Sequence, residues 1–211
     1  TAYVKYNGYL GLIGYDREAD KLIISSKSNL NSQFSFWMEQ LLYEKLSYNK
    51  IKEMTDFIKD NNCTLVWEVI DPSHDTHIID YKESNLVLLN IVHNTMDFQQ
   101  FDYEDTVKLA RQLGVEYKEK AIVLNNWEVT KEDYKYKGEY IEGFVIEDSS
   151  LFMTKIKCDY YKFWKFMRGV KESVYRKGYY DRMGALNSPL ANDFYGWLRS
   201  QPKVELQKDI I

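Results

Sequence analysis

Apolar and polar residues follow two different rhythms along this 211-residue chain, and the switches between them mark its elements. Leu10-Gly-Leu-Ile-Gly-Tyr15 and Lys21-Leu-Ile-Ile-Ser25 are β-prone and flank the polar residues 16–20, which predicts a hairpin. From Asn31 the period lengthens. Phe34, Trp37, Met38, Leu41 and Leu42 recur at helical spacing, with Asn31 or Ser32 as N-cap. A second helix carries Ile51, Met54, Phe57 and Ile58 and stops at Asn61-Asn62. Both stripes read as core. Residues 63–70 (Cys-Thr-Leu-Val-Trp-Glu-Val-Ile) are mostly apolar and β-rich, predicting a strand buried on both faces. That makes Glu68 conspicuous, because a carboxylate inside such a run is costly unless paired or in use.

Residues 76–80 and 85–92 predict a second hairpin turning at 82–85. Asp102 caps a short helix containing Val107, Ala110 and Leu113, which Gly114 ends. Residues 121–124 read as another strand, followed by a charged loop to Gly138. A third hairpin joins residues 142–146 to 151–157. Alternation along strands puts Glu142, Phe144 and Ile146 on one face, and Lys155 and Lys157 on one face of the next strand. Two lysines pointing the same way repel unless they face solvent or meet a common anion. After Asp159, read as an N-cap, residues 160–176 look helical, with Phe163, Met167, Val170 and Val174 as the stripe, and a further short helix is expected around 188–197. There is no internal repeat or low-complexity segment, and the one expected boundary lies between residues 158 and 185.

Composition narrows the class. At 25.2 kDa the chain makes one sizeable domain, or one domain with a short appendage. Cys63 and Cys158 lie far apart and match no zinc spacing, so a reducing compartment is expected. No apolar run is long enough to span a bilayer. A net charge of −4 means that a nucleic-acid ligand must meet local basic patches rather than a basic whole. His74, His77 and His93 invite a zinc reading with Asp75 and Asp80, but no third ligand stands at suitable spacing, so surface or strand-edge histidines are expected.

Taken alone, Tyr3 to Leu10 is a strand entering a turn. Taken with four motifs downstream of it, it opens a series: Lys5-Tyr-Asn7-Gly8, Ser26-Lys27-Ser28, Trp67-Glu68-Val69, Glu142-Gly-Phe-Val-Ile146 and Lys155-Ile-Lys157. In that order these resemble the motifs of the covalent lysine nucleotidyltransferases, the ATP-dependent ligases and RNA capping enzymes. The nearest resemblance is to bacteriophage RNA ligase 1 and the ligase domain of fungal tRNA ligases, over roughly residues 1 to 170. Any one motif is weak by itself; five in fixed order are specific.

The resemblance implies an α+β nucleotidyltransferase fold of antiparallel sheets with flanking helices, the nucleotide lying between them. Residues 1–170 would form the adenylation domain, and 171–211 a short helical appendage at the start of an RNA-specificity domain. It makes Lys5 the nucleophile that takes AMP from ATP, within an ATP site of Lys5, Asn7, Gly8, Lys27, Glu68, Glu142, Lys155 and Lys157. The catalytic set is Lys5, Glu142, Lys155 and Lys157. Glu142 is the carboxylate for Mg²⁺ (or Mn²⁺), reached through water. The chemistry fits these residue types. A lysine ammonium, with an ordinary pKa of about 10.4, must lose its proton to attack, and neighbouring cations favour the free amine. The implied activity is ATP-dependent joining of RNA 5′-phosphate and 3′-hydroxyl ends, tRNA among them, in RNA repair, in the cytoplasm and away from membranes. A capping guanylyltransferase, a DNA ligase and a non-catalytic nucleic-acid-binding remnant are the alternatives. The chain opens with Thr only four residues before Lys5, so a processed or excised segment with flanking domains is expected. On that basis self-adenylylation should exceed sealing. Lys162, Lys165, Arg168, Lys171, Arg176 and Lys177, interleaved with Tyr160, Tyr161 and Trp164, are the local candidates for RNA contact.

Overall fold

The computed structural model describes residues 1–122, 138 and 140–208. These form two sheets, in keeping with the expected α+β class. The larger contains β2 (Tyr9–Asp16), β3 (Lys21–Ser26), β4 (Cys63–Ile70), β5 (Asn85–His93) and β6 (Glu116–Tyr117), in the order β3-β2-β4-β5-β6. Only the β5–β6 pair is parallel. The smaller contains β1 (Ala2–Lys5), β7 (Lys120–Ile122), β8 (Gly143–Glu147) and β9 (Met153–Lys157), in the antiparallel order β7-β1-β8-β9.

Helices α1 (Gln33–Lys45), α2 (Tyr48–Asn61) and α3 (Tyr103–Leu113) cover one face of the larger sheet. The Ser32 hydroxyl caps α1 by accepting from Ser35 N–H, Asn62 ends α2 in the left-handed conformation, and Gly114 does the same for α3. Met38, Leu42, Met54, Ile58, Leu65, Trp67, Leu88 and Ile91 are buried between the layers, so most of the helical stripes are core as expected. Phe34 is the exception. It lies at the surface, edge-on to Tyr9 and Trp37.

The second half of the chain supplies α4 (Asp159–Lys177) and α5 (Pro189–Ser200). Cys158, not Asp159, is the N-cap of α4; Asp159 begins the helix and pairs with Lys162. Residue 170 falls inside α4, whose Met167, Val170 and Val174 pack with Leu186, Tyr195, Leu198 and Leu206 in a small cluster. Tyr161, expected to be open for base stacking, is only 5% exposed. A buried lysine joins the two sheets. Lys118 places its ammonium 4.4 Å from the Tyr3 ring centroid, donates to Asn90 Oδ1 at 3.2 Å and lies 3.7 Å from Glu147. Its burial lowers its pKa despite Glu147.

Three expectations change. Residues 76–80 form no strand; 71–84 is a loop, because the N–H groups of Ile78 and Ile79 donate to the Asn7 side chain instead of to a ladder. The strand expected at 121–124 is β7 as far as Ile122, while 123–124 and the charged loop to 137 lie outside the described residues. Glu142 does not share a face with Phe144 and Ile146. It precedes β8, and its carboxylate meets Lys5 and Lys157, both opposite Gly143, on the face that Phe144 does not occupy. The reason is Gly143, whose φ of +157° interrupts the alternation.

The histidines make structural contacts, and among the described residues no group of three His, Cys, Asp or Glu side chains is placed to hold a metal ion. His93 stacks on Phe101 at the end of β5, and His74 pairs with Asp71 while stacking on Trp37. His77 is not at the surface. Its side chain is 3% exposed, and its Nε2 accepts from Asp71 N–H, which fixes the neutral tautomer.

These placements generate two measurements. A Cβ at Gly143 would lie 2.0 Å from the Ile156 carbonyl oxygen, whereas one at Gly169, inside α4, would meet nothing within 4 Å. Gly143→Ala should therefore cost about 1–3 kcal/mol, and Gly169→Ala should gain roughly 0.5–1 kcal/mol. Shifts of the same sign in chemical denaturation would contradict this. For His77, burial holds the folded pKa below the ordinary value. The unfolded imidazole takes up its proton near about pH 6.5 while the folded one resists, so stability falls as pH drops through that value, by at most about 1.4 kcal/mol per unit. His77→Gln should flatten the fall in melting temperature between about pH 7.5 and 5.5, the range that brackets the ordinary imidazole pKa. An unchanged slope would remove His77 as its source.

Candidate active site

Two motifs fix the ends of one short turn. β1 leads into Lys5, and the next three residues cross to the larger sheet. Asn7 N–H donates to the Tyr81 hydroxyl at 2.8 Å, and Asn7 Oδ1 accepts from Ile78 N–H at 2.9 Å and Ile79 N–H at 3.3 Å. Gly8 N–H donates to Glu68 Oε1 at 2.7 Å. A Cβ at Gly8 would sit 2.2 Å from the Val69 carbonyl oxygen, so only glycine lets the turn close on β4. Glu68, opposite Leu10 in the β2–β4 ladder, has its pKa raised by burial, which outweighs the opposing influence of Lys5 and the Gly8 N–H.

Across the smaller sheet, Lys5, Gly143 and Lys157 stand opposite one another on β1, β8 and β9. The middle position has no side chain, so the lysines flank an open lane. Glu142 fills its end. Its backbone is gripped from both sides, with N–H donating to the Lys5 carbonyl and the carbonyl accepting from Cys158 N–H, each at 3.0 Å. Its carboxylate takes Lys157 at 2.6 Å and Lys5 at 3.1 Å. At 4% exposure Glu142 is buried, and two ammonium groups are the partners that make such burial tolerable.

The remaining predicted residues sort by distance from this centre. Lys155 lies two residues before Lys157 on β9, exposed, on the same strand face. Lys27 comes directly after β3, and its N–H donates to the Leu10 carbonyl, which continues the ladder. That puts it on the Glu68 face of the sheet, two strands away, or about 9–10 Å by strand spacing. Lys5, Asn7, Gly8, Glu68, Glu142 and Lys157 are thus brought together, Lys155 borders them, and Lys27 stands across the cleft.

Two aromatic residues stand beside this centre, in contacts that the sequence does not display. Tyr81 receives the Asn7 amide, and burial pushes its pKa up to about 12. Tyr161 lies under Lys157, 4.7 Å from ammonium to ring centroid, with its own pKa pushed up to about 12 by burial and then by Glu142. Tyr161 carries one sequence signal: it stands four residues after Lys157, in the first turn of the helix that leaves β9.

Comparisons with known proteins agree on the family and the fold. A tRNA ligase of Candida albicans is 29% identical over 105 residues, covering 46% of this chain and 13% of that protein. An archaeal ATP-dependent RNA ligase superposes with a TM-score of 0.64 at 12% identity, over 98% of this chain and 54% of its own. A Naegleria gruberi RNA ligase variant with ATP and Mn gives 0.53 at 16% identity, over 78% and 50%. These identities establish a common fold, and the chain spans about half the length of the solved ligases. The sequence model of the RNA ligase family matches residues 1–161, three quarters of the chain, and the chain belongs to that family.

Proposed function

We propose that this chain is the adenylyltransferase part of an ATP-dependent RNA ligase that works through a covalent lysyl-AMP. The observation that carries the reading is the convergence of Lys5 and Lys157 on buried Glu142, beside a turn held by Asn7 and Glu68. Lys5 gives up a proton to water, and its Nζ attacks the α-phosphorus of ATP. A P–N bond forms, the bond to the bridging oxygen breaks, and the electron pair leaves on pyrophosphate. AMP then passes to an RNA 5′-phosphate, and a 3′-hydroxyl displaces it. Such chemistry rests on positioning and charge stabilisation. Lys155 and Lys157 serve the α-phosphate, Lys27 reaches the phosphates from the opposite wall, and Glu68 holds the Lys5 turn next to the ribose.

The two lysines now paired with Glu142 are also those that the nucleotide requires, so phosphate oxygens and the carboxylate compete for the same ammonium groups. Glu142 suits a hard divalent cation, since it offers carboxylate oxygens. Both oxygens already hold lysines, so contact through water fits better than direct ligation. Mg²⁺ is the expected metal, and a Naegleria gruberi relative was solved with Mn. When bound, the metal neutralises charge on the phosphates. RNA ends, tRNA among them, are the partners expected of the whole protein, in line with the Candida albicans relative's name.

Incubation with radiolabelled ATP or GTP, resolved on a denaturing gel, tests the reading. ATP should label the chain with an acid-labile, alkali-stable adduct. Label from GTP alone would make it a capping enzyme, and no label from either would refute adenylylation. Lys5→Ala should abolish the adduct with the fold intact. Glu142→Gln, which keeps size and loses charge, should cut adduct formation at least about 100-fold, and it should also lower the melting temperature, since Lys5 and Lys157 lose their shared counter-charge. Activity that survives EDTA undiminished would exclude the metal.

Replacing Lys155 or Lys157 with Ala should slow adenylylation at saturating ATP, because the contact strengthens as charge develops on the phosphate. If both variants show only a raised KM, the lysines bind the ground state alone.

A further inference from the structure

Helix α4 carries six basic residues that looked from the sequence like a track for nucleic acid. Five of them have intramolecular partners. Lys162 pairs with Asp159 at 3.0 Å, Arg176 with Glu172 at 3.6 Å and Lys177 with Asp181 at 2.5 Å. Lys171 is buried and donates to the Lys208 carbonyl, while Arg168 donates to the Thr76 carbonyl. Lys165 differs. Among the described residues no carboxylate pairs with it, and its ammonium lies 5.7 Å from the centroid of the Tyr161 ring, the ring that also carries Lys157 at 4.7 Å.

Two ammonium groups on one tyrosine ring, next to a third on Lys5, form an array in which Glu142 pairs with Lys5 and Lys157 while Glu68 is buried near Lys5, so lysines outnumber carboxylates. Lys165 senses this array. Its pKa is lowered first by Lys157 and then by burial; Glu142 opposes the shift, and Lys155 and Lys5 add smaller lowering effects. Positive charge in excess of its counter-charge, at an open surface, is built to receive an anion larger than one phosphate group.

The order of the charges gives a direction. The smaller sheet runs β7-β1-β8-β9, so Lys5 lies two strands inside the edge and Lys157 on the edge strand itself. The chain leaves β9 into α4, and Lys165 stands one helical turn beyond Tyr161. Lys5, Lys157 and Lys165 therefore succeed one another outward. Displacement at phosphorus places attacking and leaving groups in line. If Lys5 attacks an α-phosphate held by Lys157, the departing oxygen points away from Lys5, toward α4.

From this geometry we infer that Lys165 is a binding residue for the β- and γ-phosphates of ATP and for the pyrophosphate they become. The inference rests on the adenylylation reading above and adds to it the exit side of the leaving group. In the balanced step, the electron pair of the broken P–O bond goes to pyrophosphate, whose new charge Lys165 meets. In the reverse step, pyrophosphate oxygen attacks the lysyl-AMP phosphorus, the P–N bond breaks, and Lys5 takes up a proton as ATP is re-formed.

The reverse step gives the cleaner test. Chain isolated as the labelled lysyl-AMP is mixed with increasing pyrophosphate, and release of labelled ATP is measured for wild type, Lys165→Gln and Lys165→Arg. The pyrophosphate concentration for half-maximal release should rise about tenfold or more in Lys165→Gln, as expected for loss of one charged contact, and stay near wild type in Lys165→Arg. Equal dependence in wild type and Lys165→Gln would overturn the inference while leaving adenylylation intact. So would normal pyrophosphate dependence combined with slowed discharge of AMP to a 5′-phosphorylated RNA, which would move Lys165 to the RNA. A wild type that takes no label would remove the adenylylation reading and this inference together. Lys165 is exposed, so melting of the Gln variant should match wild type.

Discussion

One buried carboxylate organises the meeting of β1, β8 and β9. Glu142 is held by its own backbone between the ends of β1 and β9, and its side chain sits where two strand lysines lean over a glycine. Without the carboxylate, Lys5 and Lys157 would face each other across an empty position and repel. Without the lysines, Glu142 would be an uncompensated buried charge, among the costlier defects a small domain can carry. Each partner is tolerable because of the others. The arrangement is a charged network that a phosphate can enter by exchanging one anion for another.

The second constraint is the crossing from the smaller sheet to the larger. Three residues make it, and nearly every polar group along it is used: Asn7 at both its N–H and its carboxamide oxygen, and Gly8 at its N–H. Buried backbone groups need partners. Glu68 and the loop after β4 supply them, which is why a carboxylate survives inside an otherwise apolar strand. The buried Lys118 then ties the two sheets together through Glu147, Asn90 and Tyr3. The sheets are thus fastened to each other at two places.

Much of this was legible in the residues, for reasons that differ by element. Hairpin β2–β3, helices α1 to α3 and strand β4 are set by local periodicity and caps, which a sequence displays directly. Glu68 stood out because its neighbours are apolar. The failures have different causes, one of them contacts between residues distant in sequence. Residues 76–80 have strand-like composition, yet amide hydrogens among them bond the side chain of Asn7, far back in the chain, and no local pattern records that. Alternation misplaced Glu142 because it assumes regular backbone through Gly143, where φ is +157°. The basic helix looked from the sequence like a track for nucleic acid; its i,i+3 and i,i+4 ion pairs are local, but the Thr76 and Lys208 carbonyls that engage Arg168 and Lys171 come from distant parts of the chain.

His77 gives the loop after β4 a further significance. The same loop supplies Ile78, Ile79 and Tyr81 to Asn7, one residue before Gly8 and two after Lys5. Protonating the imidazole replaces an acceptor for the Asp71 amide with a second donor, and the loop loses its anchor just where it grips the turn after Lys5. Acidification therefore acts on this turn from a distance. Its effect is a mechanical loosening transmitted through Asn7, and it should appear in a folding signal recorded with no nucleotide present.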